Sequence, residues 1–365
     1  MKRKLLHALL LLPVVLLLSS GFQASAQKVR QSYVIGFYNL ENLFDTVHDE
    51  GKNDYQFLPE GSNNWTEAKY QKKLSNMARV IKAMEKENRR YHAILGISEI
   101  ENRRVIDDLV SDPQILDANF QIVHYDGPDR RGVDCALLYR PDVFEYIESV
   151  SIPYTFEGTS VAITLSPEEQ ENFRTRDVLM VRGNIAGEMF AFYVTHLPSR
   201  IGGKGADLRS RGAEIIYQHA KALEEQYPGI KIVVMGDMND DPFNESMAEY
   251  LHGKKDIEGL GKDDFYNPYW SMLDAGYGTL AYRGVWSIFD QELVNYNLVE
   301  APEGTLRLLP IVKQGKKQFY GRVFQKPFMT TQEGQYKGTP FRTFSGGAFI
   351  GGYSDHYPTY IIVGK

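Results

Sequence analysis

Apolar positions along the chain follow two periods. Short runs rich in β-branched and aromatic residues recur at Tyr33 to Tyr38, Ala93 to Ile97, Cys135 to Tyr139, Leu179 to Ile185, Met189 to Thr195, Ile230 to Met235 and Tyr360 to Val363, and such runs predict strands. Between them the period lengthens. Tyr70, Leu74, Met77, Ile81 and Met84 recur at steps of four and three residues, which predicts one apolar face on a helix from about Glu67 to Asn88. A second helix is expected from about Asp207 to Glu225, carrying Leu208, Ile215, His219 and Leu223. His219 falls beside that stripe and reads as a core-edge histidine, not a ligand. No internal repeat or low-complexity linker divides the chain. Helices among many closely spaced strands predict two sheets packed face to face with helices outside.

Composition adds an address and a limit. The 365 residues are 43% apolar and 24% charged, which is globular. Lys2-Arg3-Lys4, the apolar run Ala8 to Leu18, and Ala24-Ser25-Ala26 before Gln27 have the form of a cleavable leader. Residues 1–26 are therefore expected to be a signal peptide, with export to a periplasmic or secreted location and one domain over 27–365. No later run approaches the ~18 apolar residues of a membrane span, so no stable membrane insertion is expected. The 41 basic and 47 acidic residues exclude a uniformly basic nucleic-acid coat and leave room for a local patch. Cys135 is the only cysteine. In an apolar strand it reads as a small buried hydrophobe rather than a nucleophile. No protein partner is predicted, and a monomer is expected.

The segment 301–344 departs from the acidic balance. It holds Arg307, Lys313, Lys316, Lys317, Arg322, Lys326, Lys337 and Arg342 against Glu303 and Glu333, with Phe319, Tyr320, Phe324, Phe328, Tyr336 and Phe341 interleaved. Cations for phosphates and rings for stacking would suit a nucleic-acid strand. An exposed hairpin pair with charged outer faces explains the same letters equally well.

Chemistry concentrates at the ends of the apolar runs. Val233-Val234-Met235-Gly236-Asp237-Met238-Asn239 delivers a carboxylate and an amide one residue apart, pointing the same way in extended geometry. Asn39-Leu40-Glu41 follows the first run, Glu99 ends the second, His196 closes another, and Ser354-Asp355-His356 precedes the last. Each alone has a plain structural reading as a cap or turn. Together they supply oxygen ligands, amides and two imidazoles without a cysteine ligand, which suits Mg²⁺, Mn²⁺ or Ca²⁺ better than Zn²⁺.

In this order, from Asn39 to His356, the motifs resemble the endonuclease/exonuclease/phosphatase superfamily. The resemblance implies a deoxyribonuclease I-like four-layer α/β/β/α sandwich, two packed mixed sheets flanked by helices. It implies Glu99 as the principal metal carboxylate, with Asn39, Glu41 and Asp355 completing the shell directly or through water. Asp237 and Asn239 resemble the pair that orients the attacking water and holds a phosphate oxygen. His356 matches the histidine assigned as general base or transition-state stabiliser, and His196 the one that contacts phosphate or assists the leaving oxygen. The histidine's carboxylate partner precedes an apolar strand in the family, which points to Asp290, with Asp274 as a rival. Gln291 follows Asp290 where the family has an aromatic or histidine, and Ser98 precedes Glu99 where many relatives have glutamine. Arg130-Arg131-Gly132 and Pro198-Ser199-Arg200-Ile201-Gly202-Gly203 look like substrate-facing loops, making Arg131, Ser199 and Arg200 candidate substrate contacts.

The implied activity is an exported, divalent-metal-dependent phosphoesterase, first a nuclease that cuts phosphodiesters with Mg²⁺ or Mn²⁺. Phosphatase or phosphodiesterase action on small esters, inositides or sphingomyelin-like lipids is the alternative. A binding module that has lost catalysis is the remote rival. The presence of Glu99, Asp237, His196 and His356 counts against it.

Overall fold

The computed structural model describes residues 31–200, 205–313, 316–317 and 319–365; the 1–26 leader lies outside them. The first of two seven-stranded sheets runs in the order Arg307–Leu309, Thr359–Gly364, Ser32–Leu43, Ile94–Ile100, Asp134–Tyr139, Gln121–His124, with Gly321–Val323 also paired to Thr359–Gly364. The second runs Phe144–Ile152, Val178–Ile185, Glu188–His196, Lys231–Asp237, Asp290–Asn295, Phe265–Tyr266, Gly253–Lys254. Both mix parallel and antiparallel pairs.

Side-chain alternation along the strands explains the layers. On Lys231–Asp237, Val233 and Met235 enter the core between the sheets with Phe37, Ile97 and Val181. Their neighbours Ile232 and Val234 turn outward and pack under Ala213, Ile216, Ala220 and Leu223 of the helix Ala206–Gln226. The helix Glu67–Asn88 covers the other side through Met77, Ile81 and Met84, and it ends where Arg89 adopts a left-handed φ of 57°. The architecture is the expected four-layer sandwich. A β-carbon on Gly96 would meet Met235 Sδ at 2.6 Å, so glycine there permits the close sheet contact beneath the strand ends.

The helix periods were sharp and the observed limits agree with them. Sequence patterning passed over Phe144–Ile152, an edge strand whose residues are mostly exposed or half-buried and which therefore carries no clear apolar alternation. Cys135 is buried, and burial pushes its thiol pKa up, as expected for an inert side chain. His219 accepts or donates a 2.8 Å hydrogen bond with the Tyr193 hydroxyl at the helix edge, which fits its core-edge reading. Among the described residues, no helix is long and apolar enough to cross a membrane.

Candidate active site

Register brings the strand-end residues together. His196 lies beside Asp237 in the parallel pairing, and Asp290 lies beside Asp237 in the antiparallel one. In the other sheet Asn39 pairs with Ser98, after which both strands lose regular register between Asn39 and Leu43 and between Ser98 and Ile100. Such irregularities bend a strand and re-aim a side chain. Glu41, Asn42, Glu99 and Asn239 all take left-handed φ values of 49° to 58°, each costing on the order of 1–3 kcal/mol for a non-glycine residue. Four such positions at one edge place the strain where the chemistry-bearing residues gather. At Gly236 a β-carbon would lie 2.1 Å from the Thr195 carbonyl oxygen, so only glycine lets Asp237 follow so close to the His196 strand.

The Asn39 amide links the two sheets, donating through Nδ2 to Asp237 Oδ2 at 3.0 Å and Glu99 Oε1 at 3.3 Å. The Asn42 backbone N–H donates to Glu99 Oε2 at 2.9 Å. His196 Nε2 stands 3.8 Å from Glu99 Oε1 and 3.5 Å from Asp237 Oδ2. His356 Nδ1 pairs with Asp290 Oδ2 at 2.7 Å, which leaves Nε2 facing Asp237 Oδ2 at 3.8 Å. The loosest sequence match, Asp290, thus lies in hydrogen-bond contact with His356, while Asp274 forms a surface ion pair with Lys255. Gln291 does not disturb the arrangement: its Nε2 donates to the carbonyls of Asp240 and Ile288 and ties the strand entrance down. The Ser98 hydroxyl is buried without a hydrogen-bond partner among the described residues.

Electrostatics single out this cluster. Burial raises the Asp237 pKa to about 7, with Asp290 and Glu99 adding repulsion against the pull of His356. Burial opposes charge on His356, but Asp290 and Asp237 outweigh it and hold its pKa well above the ordinary histidine value. Burial, assisted by Arg176 and Arg131, drives the His196 pKa well below that value, so this ring is neutral. Like charges 4 Å apart repel by about 4 kcal/mol at an effective dielectric constant near 20. Among the described residues, His356 is the one charged partner in contact with Asp237 and Asp290, Glu99 meets the His196 ring instead, and Asp290 Oδ1 is buried without a hydrogen bond. Ligand atoms of Glu99, His196 and Asp237 all lie within 4.8 Å of one another. An oxygen-rich, charge-deficient set of this kind fits a hard divalent cation.

Glu41 and Asp355 are placed differently. The Glu41 carboxylate receives Arg342 Nε at 3.2 Å and the Thr343 backbone N–H at 2.6 Å, with Lys73 Nζ 3.9 Å away. Arg342 Nη2 also donates to Asp355 Oδ2 at 2.8 Å, and Asp355 Oδ1 lies 3.9 Å from His356 Nε2. Both acids therefore flank the cluster instead of entering it. Asn239 donates through its backbone N–H to Asp237 Oδ1 at 3.0 Å and through Nδ2 to the Leu197 carbonyl at 3.0 Å, so it braces the loops behind the site.

The proposed substrate contacts divide. Arg131 is half-exposed and close enough to depress the His196 pKa. Arg200 is occupied, donating to the Asn239 carbonyl at 2.7 Å and Asp240 Oδ1 at 3.0 Å, with its guanidinium over the Phe289 ring. Ser199 adjoins it, and residues 201–204 of that loop lie outside the described residues. Sequence reasoning missed Arg176, buried with its guanidinium donating to the His196 and Leu197 carbonyls and to Asp129. It also missed Lys73 and the role of Arg342.

A two-sheet sandwich with an acid and histidine cluster at the shared strand ends defines a hydrolase of the phosphoester-cleaving class. The chain belongs to the Endonuclease/Exonuclease/phosphatase family, whose model matches residues 34–365. Among solved structures, an endonuclease/exonuclease/phosphatase family protein from Bacteroides thetaiotaomicron is 16% identical with a TM-score of 0.53, over 92% of this chain and 98% of that one. A mannosyl-6-phosphatase of the same organism is 16% identical with a TM-score of 0.52, over 91% of this chain and 99% of that one. A humanized D. rerio TDP2 is 13% identical with a TM-score of 0.52, over 92% and 99%. These likenesses establish the fold. No curated protein matches the sequence.

Proposed function

We propose that the chain is an exported, divalent-metal-dependent phosphodiesterase with nucleic acid as its first substrate class. The observation that supports this best is the crowding of Glu99, Asp237 and Asp290 at one edge around two imidazoles, His356 against Asp237 and Asp290 and His196 against Glu99 and Asp237. Glu99, with Asn39 and Asp237 beside it, is the set that would hold Mg²⁺ or Mn²⁺, and Asp355 lies near enough to join through water. Such a cation, when bound, neutralises phosphoryl oxygens that otherwise repel an incoming hydroxide. Asp290 fixes the His356 ring through Nδ1, so Nε2 is presented to the reacting phosphate. Asp237 accepts a proton from the attacking water, held in place by the Asn239 backbone N–H. His196, neutral and wedged between Glu99 and Asp237, offers a hydrogen bond to a phosphate or leaving-group oxygen.

A second reading, hydrolysis of small phosphate esters, is favoured by the segment 301–344. Arg322 and Lys326 pair with Glu87, Arg307 donates to the Ala301 carbonyl, and Arg342 serves Glu41 and Asp355. Phe324 is buried, and Phe319, Tyr320, Phe328 and Phe341 pack against the core. Side chains 312–318, with Lys313, Lys316 and Lys317, lie outside the described residues. Arg307, Arg322, Lys326 and Phe324 are thus engaged within the fold.

An activity panel with Mg²⁺ and Mn²⁺ on DNA, RNA, bis(p-nitrophenyl) phosphate, inositol phosphates and sphingomyelin tests both readings. Cleavage of nucleic acid or the model diester that stops with chelator is expected. Inactivity on every ester would leave the binding-module reading. Export is tested by N-terminal sequencing of protein recovered outside the cytoplasm, which should begin at Gln27.

A further inference from the structure

Beside the cluster, a cavity of about 600 Å³ opens between two hairpins, reaching Arg342 and Asp355 at its inner end. Its volume suits a small organic group rather than a bare phosphate. Tyr282 and Tyr336 stand on its rim, 70% and 56% exposed, while Phe341 and Phe344 line its interior. Arg283 adds a guanidinium 5.3 Å from the Tyr282 ring. Exposed rings that converge on a cleft, rather than scattering over a surface, mark a binding surface.

One wall is tied to the catalytic residues and the other to the core. The hairpin of Leu280–Tyr282 and Val285–Ser287 is keyed by Thr279, whose carbonyl accepts the Tyr357 backbone N–H at 2.8 Å and whose Oγ1 accepts the N–H of Phe289 at 3.2 Å and of Asp290 at 3.4 Å. Trp286 of the same hairpin stacks on Tyr357 at 6.2 Å, next to His356. The hairpin of Phe344–Ser345 and Ala348–Phe349 rests on buried Trp65, with ring centroids at 5.7 and 5.9 Å. The Tyr282 wall is therefore held in fixed relation to Asp290 and His356.

We propose that this cavity receives a planar aromatic group carried by the phosphate ester, the shared chemistry of a nucleobase and an aryl ester, and so sets substrate choice. This deepens the phosphoesterase reading and rests on it. Rings and guanidinium groups recognise a flat π-system through stacking and cation–π contact, whereas a flexible alkyl chain gains nothing specific from them.

The test compares diesters that share a ring-free trifluoroethyl group, turnover being read by ¹⁹F NMR, and differ in the other substituent: thymidine-5′-yl, phenyl, hexyl and methyl. Wild-type protein should favour the thymidine and phenyl esters, and Tyr282→Ala with Tyr336→Ala should cut their kcat/KM relative to the methyl ester about tenfold, mainly through KM. A larger loss with thymidine than with phenyl identifies a nucleobase site, and the reverse identifies an aryl site. Preference for the hexyl ester, or an equal fall on all four, overturns the proposal. Equilibrium dialysis of thymidine and phenyl phosphate against metal-free protein separates the two levels. Binding weakened by the double variant supports the cavity even if no ester is turned over, and binding of neither compound rejects it even if esters are.

Discussion

Glu41 and Asp355 lie alongside Glu99, Asp237 and Asp290, yet the chain surrounds the two groups with opposite electrostatics. The outer pair meets Arg342 between them and Lys73 behind Glu41, a lysine buried so fully that its pKa falls to about 8. The inner three meet amides, a neutral imidazole and one charged histidine. Burying an ion pair is tolerable when its hydrogen bonds are complete, and burying charge without a partner is costly. Where the sequence provides its own cations the acids hold loops in place; where it withholds them, the missing charge is the place for a ligand.

The largest expected effect lies in the inner group. His356→Ala and Asp237→Asn should each lower kcat about 10³-fold, and the double variant should fall little further, because groups serving one step are not additive. Fully additive losses in a folded double variant would separate the two roles. In the outer group the expected loss is stability. Lys73→Met leaves Glu41 without its buried counter-ion and should cost about 3–5 kcal/mol in urea unfolding, much of it recovered by adding Glu41→Gln. Arg342→Gln, at a half-exposed guanidinium, should cost far less, and equal costs would break the comparison. Glu99→Gln should lower kcat/KM by about 100-fold and abolish any rise in Tm with Mg²⁺, since a cation that binds only the folded chain stabilises it. An unchanged metal-dependent Tm would place the cation elsewhere.

The smallest effect concerns acid stability away from the site. His92 is fully buried, and burial alone lowers its pKa from the ordinary 6.5 to about 3. As pH falls the unfolded chain takes up this proton first, so the contribution is complete above about 6.5 and is lost progressively from there toward 3. His92→Leu should flatten the loss by up to about one proton per chain. Parallel stability profiles of the two proteins would contradict it.

How much of this was readable from sequence depended on distance along the chain. Asp237, Glu99, His196 and His356 announce themselves because strand ends deliver them, and strands have a local signature. The helices were legible for the same reason. The counter-ions were not: Lys73 sits on a helix where a buried ammonium looks like any surface lysine, and Arg342 meets Glu41 across 301 residues. Arg176 contacts the His196 loop through main-chain carbonyls, which no residue pattern reveals. The basic segment stayed open between a binding stripe and a charged hairpin, because the Glu87 partner of Arg322 and Lys326 and the final strand that pairs with Gly321–Val323 lie far from it in sequence.

Mn²⁺ binding followed by titration calorimetry tests the central claim most directly, because it needs no substrate. Wild-type protein should bind Mn²⁺ at the inner acids, with binding lost in Glu99→Gln and sharply weakened in Asp237→Asn while Glu41→Gln retains it. Equal binding by all four proteins, or loss confined to Glu41→Gln, would contradict the assignment of the charge-deficient cluster as the metal centre.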